Sequence, residues 1–193
     1  MPSLDPALRA ADPRDAAALA AIYAPIVRDT IISFETDPPG DNEMARRIAE
    51  TLKTYPWLVA ERGGAVVGYA YASPHRQRDA YRWSVDVTAY VDARARRSGV
   101  GRALYGGLLA VLRAQGFRSA FAGVALPNPQ SVGLHEAMGF APVGVYRDVG
   151  FKLGGWRDVG WWRAALSQGD QPPSEPIPFQ AFRHTQDCRL ILG

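Results

Sequence analysis

A short basic segment with two glycines carries the clearest chemistry in the sequence. Residues 94–104 read RARRSGVGRAL, in which four arginines surround Gly99 and Gly101. Glycines allow a ligand to approach the backbone closely, and free N–H groups at the start of a helix attract anions. The pattern therefore indicates a phosphate or pyrophosphate site over residues 98–102. On spacing alone, a solvated basic turn that precedes a helix is the alternative.

Two common nucleotide-binding motifs do not fit this segment. A P-loop ends in Gly-Lys-Ser/Thr, which the segment lacks, and a dinucleotide fingerprint requires a third glycine where Leu104 stands. The anion would therefore be held by another kind of loop.

The basic segment joins a predicted strand to a predicted helix. Residues 83–91 alternate and are rich in β-branched and aromatic types, which is typical of a strand, and a helix is predicted over 101–115. Further helices are predicted over 12–28, 42–54 and 128–138, the last with Asn128 at its cap. The other predicted strands span residues 57–61, 65–72, 119–126, 140–148 and 157–165. This mixture predicts a single α/β or α+β domain.

Length, charge and cysteine content limit the class of function. The chain has 193 residues, which fits one domain or one domain with a tail, and a net charge of +3, too small an excess to indicate nucleic-acid binding. Cys188 is the single cysteine, and the histidines at 75, 135 and 184 are far apart in the sequence. Neither a disulfide framework nor a metal motif is predicted.

The two ends of the chain differ in character from the middle. Residues 1–15 carry acids and prolines instead of a secretory signal, and no apolar stretch approaches the roughly 20 residues of a membrane span. We therefore expect a cytoplasmic protein with no membrane partner. Residues 168–178 read QGDQPPSEPIP, which is typical of a linker. The sequence predicts a folded domain over 1–166 and a flexible Pro-rich tail over 167–193, whose last apolar residues could dock on the domain.

Two motifs in sequence order resemble those of one superfamily. The spacing Arg96-x-x-Gly99-x-Gly101 resembles the acyl-CoA pyrophosphate loop of the Gcn5-related N-acetyltransferases (GNAT), Q/R-x-x-G-x-G/A. Residues 128–140, NPQSVGLHEAMGF, resemble the superfamily element N-x-x-S/A-x-x-L-x-E-x-x-G-F, about 30 residues further on. The resemblance implies the GNAT fold, a mixed central β-sheet flanked by helices, with acetyl-CoA as co-substrate and no metal.

Three further stretches narrow the resemblance. ISFE at 32–35, WSVD at 83–86 and GFKLGGWRDVGWW at 150–162 are similar to the phosphinothricin and methionine sulfoximine N-acetyltransferases, over about residues 7–166. This implies transfer of an acetyl group to the α-amino group of a small anionic amino-acid analogue: phosphinothricin, methionine sulfoximine or methionine sulfone. It also implies direct attack in a ternary complex and a homodimer.

The resemblance assigns the acetyl-CoA contacts to two strand-to-helix junctions. Backbone groups at the end of the central strand would hold the acetyl carbonyl and the pantetheine arm. Asn128 would contact the pantetheine or the substrate. Without the resemblance, the simpler interpretation of Asn128 is a helix N-cap. The predicted cofactor-binding residues are Ala89, Tyr90, Val91, Arg96, Arg97, Ser98, Gly99, Val100, Gly101, Arg102 and Asn128.

Three residues are candidates for proton transfer. Asp86 lies within an apolar strand, where an acid is costly unless it is used or paired. It is our first candidate for the base, although the family carries a longer Glu there, so the proton could pass through a water or the role could have moved. An arginine-paired structural acid is the alternative, and Glu35 is the rival base. His135 stands where many GNAT enzymes have a tyrosine that protonates the thiolate, but it fits a packed helix residue equally well.

The loop over residues 73–83 is basic and aromatic, as a site for an anionic substrate requires. In the resembled family this loop grips the substrate, so Arg76, Arg78 and Tyr81 are the candidates, with Phe34 as an apolar wall. A solvent-exposed hairpin loop is the alternative, and His75 is interpreted as a plain loop residue. The rival functions are acetylation of another amine (an amino acid, a polyamine or a protein N-terminus) and a non-catalytic acyl-CoA-binding module.

Overall fold

A seven-stranded mixed sheet organises the fold. The computed structural model describes residues 6–169 and 173–193; residues 1–5 of the predicted domain and 170–172 of the predicted tail lie outside the described residues. The strands are β1 (Ala7–Ala10), β2 (Trp57–Arg62), β3 (Ala65–Pro74), β4 (Ser84–Val91), β5 (Ser119–Leu126), β6 (Ala141–Lys152) and β7 (Gly155–Ala165). The helices are α1 (Ala16–Asp29), α2 (Asp41–Thr54), α3 (Val100–Gln115), α4 (Pro129–Ala137), α5 (Phe179–Phe182) and α6 (Gln186–Leu192). The strand order is β1-β2-β3-β4-β5-β7-β6.

The four predicted helices and six predicted strands are confirmed, with shifts at their ends. Strand β5 and the end of β4 lie where the periodicity put them, whereas β6 runs on to Lys152, four residues beyond the prediction. Strand β1 was missed because its four residues, ALRA, carry no strand pattern; it is held by antiparallel pairing with β2. Tertiary pairing, and not local preference, makes it a strand.

The sheet opens between its two central strands. Strands β4 and β5 run parallel and pair only over residues 84–86 and 119–121. Beyond Asp86 and Phe121 the strands separate, although β4 stays paired with β3 and β5 with β7 along the rest of their lengths. The backbone of the second half of β4 therefore borders a wedge instead of a neighbouring strand, and a ligand can reach its polar groups.

Two hydrophobic clusters cover the two faces of the sheet. On one face, α3 packs Leu104 and Leu108 against Val85 and Val87 of β4. On the other face, α1 and α2 cover Val59 and Tyr69 of β2 and β3. Alternation along β4 therefore places Asp86 on the face opposite α3, beside Phe121 of the neighbouring strand.

The described part of the C-terminal segment is packed, which corrects the prediction of a flexible tail. Phe179 and Phe182 on α5 and Cys188 on α6 are buried in the cluster formed with α1 and α2. The Gln115 side chain also donates a hydrogen bond to the Ile177 carbonyl oxygen, at 2.7 Å. The aromatic residues after Pro178 provide enough apolar area to anchor two short helices.

Within residues 6–169 and 173–193, no helix combines the length and apolar character that crossing a bilayer requires.

Candidate active site

The glycine-rich loop before α3 forms an anion cradle. Gly99 is the N-terminal cap of α3 with a φ of 85°, a left-handed conformation that favours glycine, and it provides no side-chain cap. Because the first N–H groups of an α-helix have no partner within the helix, those of Val100, Gly101 and Arg102 are directed to an external acceptor. Arg97, at φ 57°, also adopts the left-handed conformation. Such alternation produces the concave arrays of N–H groups that bind phosphates.

Arg62 at the end of β2 braces this loop. It donates hydrogen bonds to the Ser98 hydroxyl (3.0 Å) and the Ser98 carbonyl oxygen (3.2 Å), while that hydroxyl donates to the Ala95 carbonyl oxygen (2.6 Å). Sequence reasoning missed Arg62 because it is 36 residues from the loop and only the sheet brings the two together. Arg94, by contrast, pairs with Asp92 at 2.8 Å, and that hydrogen bond lowers the pKa of Asp92 to about 2.

A cavity of about 420 Å³ extends from the cradle along β4 to the start of α4. Nine of the eleven residues predicted to bind the cofactor line it: Ala89, Tyr90, Val91, Arg96, Arg97, Gly99, Gly101, Arg102 and Asn128. Ser98 and Val100 are not part of its lining, and Val100, the first residue of α3, is buried in the core. The Tyr90 ring makes tilted contacts with the rings of Tyr23 and Tyr69, so it packs against the core.

A smaller cavity of about 80 Å³ continues into the wedge between β4 and β5. Its walls include residues 87–90 of β4 and 123–125 of β5, and Asn128 lines both cavities. Asn128 is also the α4 cap, because its side-chain oxygen accepts from the Ser131 N–H at 3.1 Å. The sequence left open whether Asn128 is a helix cap or a site residue. In the structure it caps α4 and also lines both cavities.

The fit of a CoA thioester can be tested against this shape. A long cavity has arginines and helix N–H groups at its outer end and a narrow wedge with unpaired strand backbone at its inner end. These are the donors that a pyrophosphate and an amide-containing arm need. The residues present therefore fit the group.

His135 lines the inner cavity and is held as a buried residue, which favours the packed alternative of the two that the sequence left open. Its Nδ1–H donates to the Ser131 carbonyl oxygen at 2.7 Å, and Nε2 accepts from the Tyr105 hydroxyl at 2.8 Å. Burial lowers the pKa of His135 and raises that of Tyr105. With both ring nitrogens engaged, the imidazole has no proton to donate directly into the wedge.

Asp86 forms a close pair with His75. Asp86 Oδ1 lies 2.6 Å from His75 Nδ1, and burial raises the pKa of Asp86 while the hydrogen bond from His75 opposes that rise. His75 follows β3 directly and stacks on Phe121 with ring centroids 4.2 Å apart. The interpretation of His75 as a plain loop residue was wrong. No local motif signals the pair, because the two residues meet only through the β3–β4 pairing.

Glu35, the rival base, belongs to an ionic cluster under α2. Its carboxylate accepts hydrogen bonds from Arg47 (2.7 and 3.1 Å) and from the Tyr23 hydroxyl (3.0 Å). Neither Glu35 nor Asp86 is part of the lining of either cavity. The geometry therefore gives Glu35 a structural pairing with Arg47 and Tyr23, and its role as the rival base stays a prediction.

The predicted substrate loop meets aromatic residues of β6 and β7. The Arg76 guanidinium lies 5.9 Å from the centre of the Trp161 ring and donates to the Tyr146 hydroxyl at 3.4 Å. Tyr81 lies edge-on to His75, at 6.1 Å between centroids. Arg78 is exposed on the same loop. Arg76 and Tyr81 are thus brought beside the Asp86–His75 pair, together with the unpredicted Trp161 and Tyr146.

Phe34 lies on a separate loop that is tied to β6. Its ring packs so closely on Gly150 that a Cβ there would overlap it. The loop is fixed by Lys152, whose buried ammonium donates to the carbonyl oxygens of Val27 (2.7 Å) and Ser33 (2.6 Å). Burial lowers the pKa of Lys152. The family-like residues 150–152 therefore hold the Phe34 loop in place.

Over the two ranges that the structure describes, no three His, Cys, Asp or Glu side chains come together as a group that could hold a metal ion.

Comparison with known proteins identifies the family. A family model described as an acetyltransferase (GNAT) domain matches residues 8–161. The chain is 43% identical over 171 residues to the phosphinothricin N-acetyltransferase of Streptomyces viridochromogenes, covering 88% of this chain and 93% of that protein. It is 32% identical over 166 residues to the L-methionine sulfoximine/L-methionine sulfone acetyltransferase of Salmonella typhimurium, covering 86% and 97%.

A solved structure shows the same fold. The phosphinothricin acetyltransferase from Sinorhizobium meliloti, in complex with acetyl-CoA, superposes with a TM-score of 0.85 at 36% identity, covering 90% of this chain and 95% of that one. The predicted mixed sheet flanked by helices is thereby confirmed as the GNAT fold. The chain belongs to the GNAT superfamily of acetyl-CoA-dependent N-acetyltransferases.

Proposed function

We propose that this enzyme acetylates the α-amino group of a small anionic amino-acid analogue, with phosphinothricin, methionine sulfoximine and methionine sulfone as the candidates. The observation that carries the proposal is that the wedge between β4 and β5 and the arginine-bearing loop lie at the same place on the sheet. The wedge between β4 and β5 ends where pairing stops, at Asp86, and the arginine-bearing loop with Arg76 lies beside that residue. Relatives at 43% and 32% identity carry the corresponding activities in their names.

The outer cavity supplies the acyl-donor site. When bound, acetyl-CoA provides the acetyl group as a thioester. Arg96, Arg97 and Arg102 and the N–H groups at the start of α3 would hold its pyrophosphate, because backbone donors and guanidinium forks both favour that anion. The backbone of residues 89–91 and Asn128 would hold the pantetheine arm. These residues would hold the thioester at the wedge between β4 and β5.

The loop over residues 73–83 supplies the acceptor site. Arg76 and Arg78 offer the forked donors that carboxylate, phosphinate or sulfoximine oxygens require. Tyr81, Trp161 and Phe34 would form apolar walls around the side chain. A polyamine would meet like charge here, which disfavours that rival substrate class.

Proton removal is the chemical task left to the protein. An ammonium group cannot attack a carbonyl carbon, so a base must take its proton. Asp86 lies where the pairing of β4 with β5 ends, near Arg76 of the loop, and burial raises its pKa. Asp86 therefore provides the negative charge that drives this transfer, by direct attack in a ternary complex without a covalent acyl-enzyme.

The test is acetyl-CoA-dependent thiol release with the three candidate substrates, for the wild type and for Asp86→Ala. Turnover with any of them that falls at least about 10²-fold in the variant is expected, because a general base contributes 10²–10⁴-fold. Putrescine and an alanine-starting peptide are included as rival amines. Turnover with these alone would reject the anionic substrate class, and acetyl-CoA binding without any turnover would favour the non-catalytic module.

We also propose that the enzyme is a homodimer. Strand β6 is one of the two edges of the sheet, and the hairpin it forms with β7 exposes Val143, Phe151 and Trp156, each at least 60% accessible. Exposed apolar residues along a sheet edge are typical of an interface. Light scattering after gel filtration should give a dimer for the wild type and a monomer for Trp156→Glu. A monomeric wild type would contradict the proposal.

A further inference from the structure

We propose that His75, positioned by Asp86, is the group that takes the proton from the substrate amine, and that Asp86 acts through it. The inference rests on the proposed function, since it specifies which atom of that site accepts the proton. Nothing in the sequence pattern singles out His75, and the resembled family provides a longer carboxylate at the Asp86 position. An imidazole bonded to the shorter carboxylate extends its reach by the width of a ring.

The backbone fixes where His75 lies. Ser73 of β3 pairs with Asp86 of β4 across the antiparallel ladder, and the His75 N–H donates to the Ser84 carbonyl oxygen at 3.4 Å. Residue 75 therefore stays beside β4 after β3 has ended. Its Nδ1 then reaches Asp86 Oδ1 at 2.6 Å, a distance typical of a charge-assisted hydrogen bond.

The ring plane is fixed by aromatic packing. The imidazole stacks on Phe121 of β5 with an interplanar angle of 13° and a centroid separation of 4.2 Å. Trp161 and Tyr81 lie edge-on to it, each at 6.1 Å. A ring held by one stacking contact, two edge contacts and one hydrogen bond has a single orientation. The ring therefore contacts both Asp86 of β4 and Phe121 of β5, the last residues that pair before these two strands separate.

The hydrogen bond to Asp86 sets the tautomer. An ionised carboxylate accepts the Nδ1–H, so the neutral ring carries its lone pair on Nε2. Among the described residues, no hydrogen bond engages Nε2. His135 differs in this respect, because both of its nitrogens are bonded within the protein. Of these two histidines, His75 is the one with a nitrogen left to accept a proton.

The charged groups around the pair favour an ionised Asp86. Asp86 on β4 supplies the negative charge that stabilises a protonated ring. Arg76, next in the chain, lowers the pKa of Asp86 through its charge, in opposition to burial. Tyr81 faces the ring from the loop, and Phe121 and Trp161 from β5 and β7 are uncharged. The carboxylate is thus the one negative group among those that contact the ring.

The proton and bond changes balance without a further reactant. One proton passes from the substrate ammonium to His75 Nε2, and from there to water. The amine nitrogen then forms a bond to the acetyl carbonyl carbon as the bond from that carbon to sulfur breaks. The second proton on nitrogen ends on the sulfur, so that the products are the amide and the free thiol.

The first test needs no substrate. The nitrogen-15 shifts of the His75 ring in the full-length protein, assigned by its loss in His75→Gln, should report the Nδ1–H tautomer at neutral pH. In Asp86→Asn the ring should change to the Nε2–H tautomer, because the amide can donate to Nδ1. A wild-type ring in the Nε2–H form would overturn the proposal, since Nε2 would then have no lone pair for the proton.

The second test compares rates. His75→Gln should lower kcat about 10²-fold or more, the range in which a general base contributes, while the Kd for acetyl-CoA stays within about twofold. His184→Gln, an exposed histidine on the C-terminal segment, is the matched control and should keep the wild-type kcat. A kcat for His75→Gln within about threefold of the wild type would overturn the proposal while leaving the proposed function intact.

Failure of the proposed function looks different. If the wild type acetylates none of the three candidate analogues but acetylates another amine, the substrate class is wrong. The variants are then compared with that amine, and the tautomer measurement stands as before. The two ideas are therefore refuted by different results.

Discussion

Replacing Gly101 by valine should separate acetyl-CoA binding from folding. Gly101 lies in the first turn of α3, where its Cβ would be 3.1 Å from Leu134 Cδ2 and 3.9 Å from Val91 Cγ2. Leu134 and Val91 both line the outer cavity. A single added Cβ can be accommodated by a shift of the Leu134 side chain, but the two further methyl groups of valine must enter the cavity beside the cradle.

The magnitude follows from the hydrogen bonds at the start of the helix. Displacing the pyrophosphate from one N–H removes a bond to a charged group, which contributes roughly 1.5–3 kcal/mol. Since each 1.4 kcal/mol is about tenfold in Kd, acetyl-CoA should bind roughly 10- to 100-fold more weakly. Helix propensity changes by less than about 1 kcal/mol in favour of valine, so the fold should persist. Gly101→Ala should cost about threefold or less.

Titration calorimetry with acetyl-CoA is the assay, and Gly106→Val is the matched control. Gly106 lies in the same helix, and a Cβ there meets nothing within 4 Å. S-acetylpantetheine, which lacks the pyrophosphate, provides a second comparison, because its use as a donor should change less than that of acetyl-CoA. Equal Kd values for the wild type, Gly101→Val and Gly106→Val would refute the assignment of the cradle.

Four further substitutions test other parts of the structure. Lys152→Met leaves two buried carbonyls without a donor, so stability in urea should fall by about 2–4 kcal/mol; unchanged stability would show that these bonds contribute nothing. Phe179→Ala should cost about 3–5 kcal/mol, as for a fully buried ring, and a loss below 1 kcal/mol would contradict docking of the C-terminal segment. Gly150→Ala displaces the Phe34 ring and should raise KM for the amino substrate about tenfold with an unchanged Kd for acetyl-CoA; an unchanged KM would remove Phe34 from the substrate wall. Glu35→Gln should keep kcat within about fivefold, and a loss as large as that of a general base would restore Glu35 as the catalytic acid.

The elements of the fold were predictable where the pattern is local. The alternation along β4, the four-residue spacing in α2 and the Asn128 cap each depend on neighbours in the chain, and each element lies where it was expected. Strand β1 and the docked helices α5 and α6 depend on distant partners. Their residues carry weak preferences of their own, so periodicity could not find them.

The outer cavity was predictable for a related reason. Most of its predicted lining comes from two continuous segments, residues 89–91 and 96–102, and the glycines and arginines of the second segment already indicate an anion cradle. Asn128 joins them because it starts the next helix. Arg62 escaped prediction because it reaches Ser98 through the sheet, 36 residues away in the sequence.

The acid–base residues could not be predicted in the same way, because their roles depend on which atoms of a side chain are already bonded. The sequence presents His75 as a plain loop residue and His135 as a candidate proton donor. In the structure, both nitrogens of His135 are hydrogen-bonded, one to Ser131 of α4 and the other to Tyr105. Within the described part of the chain, only one nitrogen of His75 is hydrogen-bonded, to Asp86, because the β3–β4 pairing brings these two residues together. Asp86 is shorter than the Glu of the resembled family, which indicates that a second residue takes part in the site. Only the strand register, which pairs Ser73 with Asp86, shows that this residue is His75. The β3–β4 pairing runs on to Val91, past the point where β4 and β5 separate, so the same strand carries Asp86 at the start of the wedge and the backbone that lines it.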